Sequence, residues 1–184
     1  MSSSIFCRLA KILFMRILKF ILLAICFSIS ASSYSQNSVD STNIKKKEFI
    51  FPAVNDFVND NENIFKNHEK LILNTTLENF ERSSNNKIII VTVASILPYN
   101  DIFKYSVDMA NFLVSEKQLG TKILIVLSKN LRQIQIQNSD SIANLLTDEE
   151  TKNILETFII PEFKKGDYFK GLKKGILEIK KELN

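Results

Sequence analysis

Beyond residue 35 the chain holds a single histidine, His68, and no cysteine, because Cys7 and Cys26 both come earlier. A Ser-His-Asp triad would have to use His68, and a thiol nucleophile is excluded. His68 stands near Ile64, Leu71 and Ile72 in a stretch with helical spacing, where a packing role for its ring is expected. Histidine-rich zinc sites are excluded by count. The only glycines are Gly120, Gly166, Gly171 and Gly175, and they form no phosphate-cradling loop. What remains is carboxylate chemistry, in which acidic side chains hold a hard cation such as calcium or magnesium through oxygen. The candidate metal ligands are Asp56, followed by Asp60 in Val54-Asn55-Asp56-Phe57-Val58-Asn59-Asp60, and Asp148. The competing reading is helix capping, since an acid ahead of a helix is favoured by the helix dipole.

Charge and cysteine usage depend on where the mature chain begins. The first 35 residues carry Arg8, Lys11, Arg16 and Lys19, no acid, and the apolar run Phe20 to Phe27. Ser33 and Ser35 then precede Gln36 at the spacing of a signal-peptidase site, so residues 1–35 are expected to be a secretory signal peptide. Ser28 and Ser30 break the apolar run before it reaches membrane-spanning length. Of 24 basic and 20 acidic residues, four basic ones lie in this leader, so the remainder is balanced. The formal charge of +4 therefore belongs to the leader and implies no nucleic-acid partner. The mature chain is expected to be periplasmic or secreted, with no transmembrane segment.

Residues 36–48 are polar and include Lys45-Lys46-Lys47, the composition of a flexible linker. One domain is expected over residues 49–184. A helix is expected over about residues 61–83, ended by Ser84-Asn85-Asn86. Residues 87–94 (KIIIVTVA) and 123–127 (ILIVL) have the continuous apolar character of strands buried on both faces. A second helix should separate them, carrying Tyr105, Met109, Phe112 and Leu113, which makes the two strands parallel. Only residues 128–131 precede the next strand, so residues 132–137 must turn back antiparallel, with Ile134 and Ile136 inward and the glutamines outward. Thr147-Asp148-Glu149-Glu150 is a capping box. The helix it begins is disturbed by Pro161, and Gly166-Asp167 separates it from a last helix with a single apolar stripe. Gly171 and Gly175 in that helix suit close packing of soluble elements. The order α-β-α-β-β-α-α gives a three-layer α/β sandwich, a mixed sheet with helices on both faces.

Several stretches, in order, resemble the TPM domain family, also called TPM phosphatases. They are Val54-Asn55-Asp56-Phe57, Lys87 to Val93, Ile123 to Ile136 with Arg132 between the paired strands, and Leu146-Thr147-Asp148. The longest is Ile160-Pro161, Phe163, Gly166-Asp167-Tyr168, Gly171-Leu172 and Gly175-Ile176. The resemblance covers about residues 54–183 and implies a three-layer domain outside the cytoplasm. It also implies, in some relatives, acid phosphatase activity or divalent-cation binding, and in others attachment to membrane complexes without catalysis. Two loops depart from the family pattern. Its D-N-G turn falls on Gly120-Thr121-Lys122, and its v-G-x-G-l-E turn falls on Asn138-Ser139-Asp140-Ser141-Ile142-Ala143, so an acid, two glycines and a glutamate are missing.

Two functions follow as expectations. The first is a non-catalytic accessory or binding protein with an eroded site, whose partner would be an envelope protein or membrane complex. The alternative is a calcium- or magnesium-dependent phosphomonoester hydrolase, with Asp56 and Asp148 on the metal and Arg132 on the phosphate. Against that role, Arg132 could simply sit at a hairpin with its head in water.

Overall fold

The structure, a computed structural model, describes residues 51–183. The expected signal peptide (1–35) and linker (36–48) lie outside the described residues. Four strands form one sheet in chain order: β1 (Val58–Asp60), β2 (Lys87–Thr92), β3 (Thr121–Ser128) and β4 (Gln133–Asn138). β1 and β3 are parallel to β2, and β4 is antiparallel to β3. The helices are α1 (Asn67–Ser84), α2 (Ile102–Ser115), α3 (Asp148–Ile154), α4 (Ile160–Phe163) and α5 (Tyr168–Glu182). A π-helical turn, Leu155–Ile159, joins α3 to α4.

The apolar runs of β2 and β3 are covered on both faces, which makes this the expected mixed α/β sandwich. Ile88, Ile90, Ile123, Ile125 and Leu127 share one core with Leu73, Leu77 and Phe80 of α1 and Leu172, Ile176 and Ile179 of α5. The alternate residues Ile89, Val91, Leu124 and Val126 are equally buried and face the opposite way, toward the side of Tyr105, Met109 and Leu113 of α2. Among the described residues no helix is long and apolar enough to cross a membrane.

The structure differs from the sequence reading in several places. β1 is an added edge strand, whose three residues are too few to show a period. α1 starts at Asn67 rather than near Asn61, because the Asp60 carboxylate accepts the N–H groups of Ile64 and Phe65 at 3.0 and 2.9 Å and fixes a turn there. His68 is exposed in the first turn of α1 instead of packing. Finally, Gln135 and Gln137 are half-buried rather than outward in solvent. Their side-chain amides donate to the carbonyls of Ile136 and Asn138 at 3.1 and 3.3 Å, covering part of the open edge of β4.

The closing segment packs as its glycines suggested. A Cβ on Gly171 would meet the Phe163 ring at 2.7 Å and the Ile159 carbonyl oxygen at 2.9 Å. Pro161 has no N–H to donate and its ring crowds the preceding turn, and the π turn lies immediately ahead of it. Gly166, with φ +83°, ends that helical run, and the Asp167 carboxylate caps α5 by accepting the Lys170 N–H at 2.9 Å.

Candidate functional site

Open α/β sheets hold ligands at the carboxyl ends of their parallel strands. Here three connections meet at that end and are tied to each other. The Glu62 carboxylate, just after β1, accepts the backbone N–H groups of Lys129 and Asn130 at 2.9 and 3.1 Å, at the tip of the β3–β4 hairpin. The Asn130 side-chain amide donates to the Ala94 carbonyl beyond β2 at 3.1 Å. Asn61 donates to the Thr92 carbonyl at 3.0 Å, and the Thr92 hydroxyl donates to Asp60 at 2.9 Å. Within the hairpin, the Ser128 hydroxyl oxygen accepts the Leu131 N–H at 3.1 Å. Its last residue, Arg132, has φ +55°, a left-handed conformation that costs a side chain with a Cβ about 1 kcal/mol or more. Arg132 is thus a turn residue, not the first residue of the strand as the alternation suggested.

Beside this hairpin lies a cleft of about 770 Å³. Its apolar wall comes from Ile102 at the start of α2, Leu127 and Ile134 of the hairpin strands, and Ile160 and Phe163 of α4. Arg132, Lys164, Ser128, Gln133 and Tyr168 supply its polar groups, and among the described residues no carboxylate lines it. Neither Arg132 nor Lys164 has an ion-pair partner among the described residues, and both are exposed. A third cation, the Lys129 ammonium, stands 5.8 Å from the centre of the Tyr168 ring. Glu62, the one acid bonded to the hairpin tip among the described residues, is taken up by two backbone N–H groups. Among the described residues, the lining thus joins two cations without ion-pair partners to an apolar wall.

A few residues away the same charge type is fully engaged. Glu162 of α4 is buried, yet Lys174, Lys165 and Lys170 approach its carboxylate at 2.6, 3.5 and 3.6 Å. The hydrogen bond from Lys174, aided by the charges of Lys165 and Lys170, holds its carboxyl down at about 2 against the ordinary 4.5. This cluster fastens α4 to α5 and so fixes the wall of the cleft.

The two aspartates named from the sequence lie elsewhere. Asp56 precedes β1. Its carboxylate accepts the Phe57 N–H at 2.8 Å and the Asn74 side-chain amide at 3.0 Å, while the Asn74 oxygen accepts the Val58 N–H at 2.8 Å. Asp56 therefore clasps the edge strand to α1. Asp148 is exposed at the first position of α3, inside a capping box in which Thr147 and Glu150 exchange hydrogen bonds. That turn is fastened to the far end of β4, where Asn138 donates to Thr151 at 2.8 Å. Since β4 spans six residues, Arg132 and Asn138 are separated by roughly 16–20 Å of strand. β1 and β4 are opposite edges of the sheet, so the structure does not bring Asp56, Asp148 and Arg132 together. Among the described residues, no group of three or more acids or histidines is placed to hold a metal ion. Asp56 and Asp148, each at its own edge of the sheet, do not form a shared coordination sphere for calcium or magnesium. Asp140, a substitute acid by position, opens a short 3₁₀ turn (Asp140–Ile142) and is exposed.

Sequence reasoning missed Lys164, Tyr168 and the apolar wall. Their signal was present in the Ile160-Pro161 to Tyr168 stretch, which was read for fold and not for a surface. The Glu162 cluster was missed because a glutamate in a lysine-rich segment looks solvated until its burial is known.

The family model for the TPM domain matches residues 58–182. Among solved structures, the chain is similar to the N-terminal domain of a protein from P. gingivalis, at 23% identity and a TM-score of 0.61, covering 69% of this chain and 81% of that one. It is also similar to the N-terminal domain of the cg2496 protein from Corynebacterium glutamicum, at 12% identity and 0.54, covering 73% and 85%. A third is the BA42 protein from Bizionia argentinensis, at 19% identity and 0.54, covering 65% and 81%. At these identities the likeness is one of fold. No curated protein matches the chain.

Proposed function

The chain belongs to the TPM domain family, and from that premise we propose that it is an exported accessory or binding protein of the cell envelope without hydrolytic activity. The observation that carries this reading is the separation of charges. Among the described residues, the cleft at the carboxyl ends of the strands presents Arg132 and Lys164 without a carboxylate, and Asp56 and Asp148 stand outside it. Asp56 has a structural task in clasping β1 to α1, and Asp148 sits favourably at the positive end of a helix dipole. Both residues are accounted for without a metal ion. In the loops that depart from the family pattern, Lys122 donates to Ser141 at 3.0 Å, which puts a cation where the family carries acid and glycine. Export is supported by the basic, apolar and small-residue order of residues 1–35.

The other reading, a cation-dependent phosphomonoester hydrolase, draws on the same Arg132, which suits a phosphate as well as a carboxylate. The two separate in a calorimetric titration of the protein with calcium and with magnesium. The binding-protein reading expects no saturable heat that Asp56→Ala or Asp148→Ala removes. A stoichiometric site lost in both variants would return the hydrolase to the front.

A further inference from the structure

We propose that the cleft beside the β3–β4 hairpin binds an anionic amphiphile, a single acidic head group carried on an apolar chain. The proposal rests on the binding-protein reading above and names the ligand class for the same cleft.

Three observations converge on it. The cleft volume of about 770 Å³ lies within the usual range for small-molecule sites, and five aliphatic or aromatic side chains wall it. A bare inorganic anion would leave that wall in contact with water, whereas an apolar chain would cover it. The charged groups of its described lining are of one sign. Among the described residues, Arg132 and Lys164 have no ion-pair partner, Lys129 stands by over Tyr168, and no carboxylate lines the cleft to repel an anion. A neutral amphiphile would leave those cations unanswered, while a carboxylate or phosphate head can accept paired N–H bonds from a guanidinium.

The third observation is the backbone of Arg132. A left-handed residue closing a tight hairpin is ordinarily glycine or asparagine, and an arginine there is strained. The hairpin is nevertheless held rigidly, by Glu62 on two N–H groups, by Asn130 on the Ala94 carbonyl and by Ser128 on Leu131. The strain is retained at a position that lines the cleft. Stability gives no reason to keep arginine there; ligand recognition does.

The same residue supplies a variant that loses the ligand without losing the fold. Arg132→Gly removes the head-group contact and relieves the backbone. The protein, produced in an exporting host and labelled with nitrogen-15, is titrated below micellar concentration with decanoate, decyl phosphate, decyl maltoside and inorganic phosphate. Decanoate or decyl phosphate is expected to bind one to one, shifting the amide signals of Arg132, Ile134, Phe163 and Tyr168. Whichever of the two binds tighter identifies the head group. Affinity should fall about tenfold in Arg132→Gly and again in Lys164→Gln, and should weaken as salt is raised. The Tm of Arg132→Gly should not fall. Absence of binding by both anionic amphiphiles overturns the proposal. So does equal binding of decyl maltoside, equal binding of inorganic phosphate, or unchanged affinity in Arg132→Gly. None of these outcomes bears on hydrolysis, so the proposal can fail while the binding-protein reading stands.

Discussion

Two groups of cations flank α4 and have opposite fates. Lys165, Lys170 and Lys174 converge on one buried carboxylate, Glu162, and bind α4 to α5. Arg132 and Lys164 line a cleft that has no acid among its described residues. The difference is one side chain. Where a carboxylate is buried among lysines, positive charge becomes part of the fold; where none is supplied, it stays available to a ligand. The two regions share a wall, because α4 carries both Glu162 and the cleft residues Ile160 and Phe163.

The comparison can be broken most severely at Gly171. A methyl group there collides with the Phe163 ring and the Ile159 carbonyl, so Gly171→Ala should push α5 from α4 and disturb both regions at once. A loss of about 1–3 kcal/mol is expected in urea denaturation, the usual penalty for overpacking. An unchanged midpoint would mean that the helices have slack.

A smaller effect, confined to one region, is expected from Glu162→Gln. The three lysines then surround a neutral amide, so Tm should drop and its pH dependence should change. The Glu162 carboxyl titrates near 2 in the folded chain against an ordinary 4.5. Its contribution is therefore complete above about pH 4.5 and is lost as pH falls toward 2. Wild type should lose stability across that window more steeply than Glu162→Gln. Parallel curves would show that the lysines do not act through this carboxylate.

The smallest effects belong to the cleft. Lys164→Gln should lie within about 0.5 kcal/mol of wild type, as expected for an exposed residue without a partner. Arg132→Gly should be neutral or stabilising by up to about 1 kcal/mol, from relief of its left-handed backbone. A marked loss in either variant would mean that these cations hold the fold together after all.

Much of the fold was legible in the residues. The unbroken apolar runs of β2 and β3 announced strands buried on both faces, and the Thr147 capping box and Gly166-Asp167 marked helix ends that the structure reproduces. What escaped depended on tertiary contacts. β1 exists because Asn74 of α1 and the edge of β2 offer its backbone partners, and three residues carry no periodicity of their own. The start of α1 moved because one carboxylate, Asp60, takes two N–H groups that a helix would otherwise have used. The cleft was less visible still. Arg132 stood out by its place between two strands, but its αL backbone and the company of Lys164 and Tyr168 come from chain segments that only the folded sheet brings together.

The function proposed for this TPM domain is binding without hydrolysis, through a cationic cleft that no carboxylate lines among the described residues. It is tested most directly by p-nitrophenyl phosphate hydrolysis, with wild type, Asp56→Ala and Asp148→Ala assayed in calcium, in magnesium and in chelator. The account predicts no turnover above the blank in any combination. Metal-dependent turnover of the wild type that chelator and both substitutions abolish, with the fold intact, would contradict it.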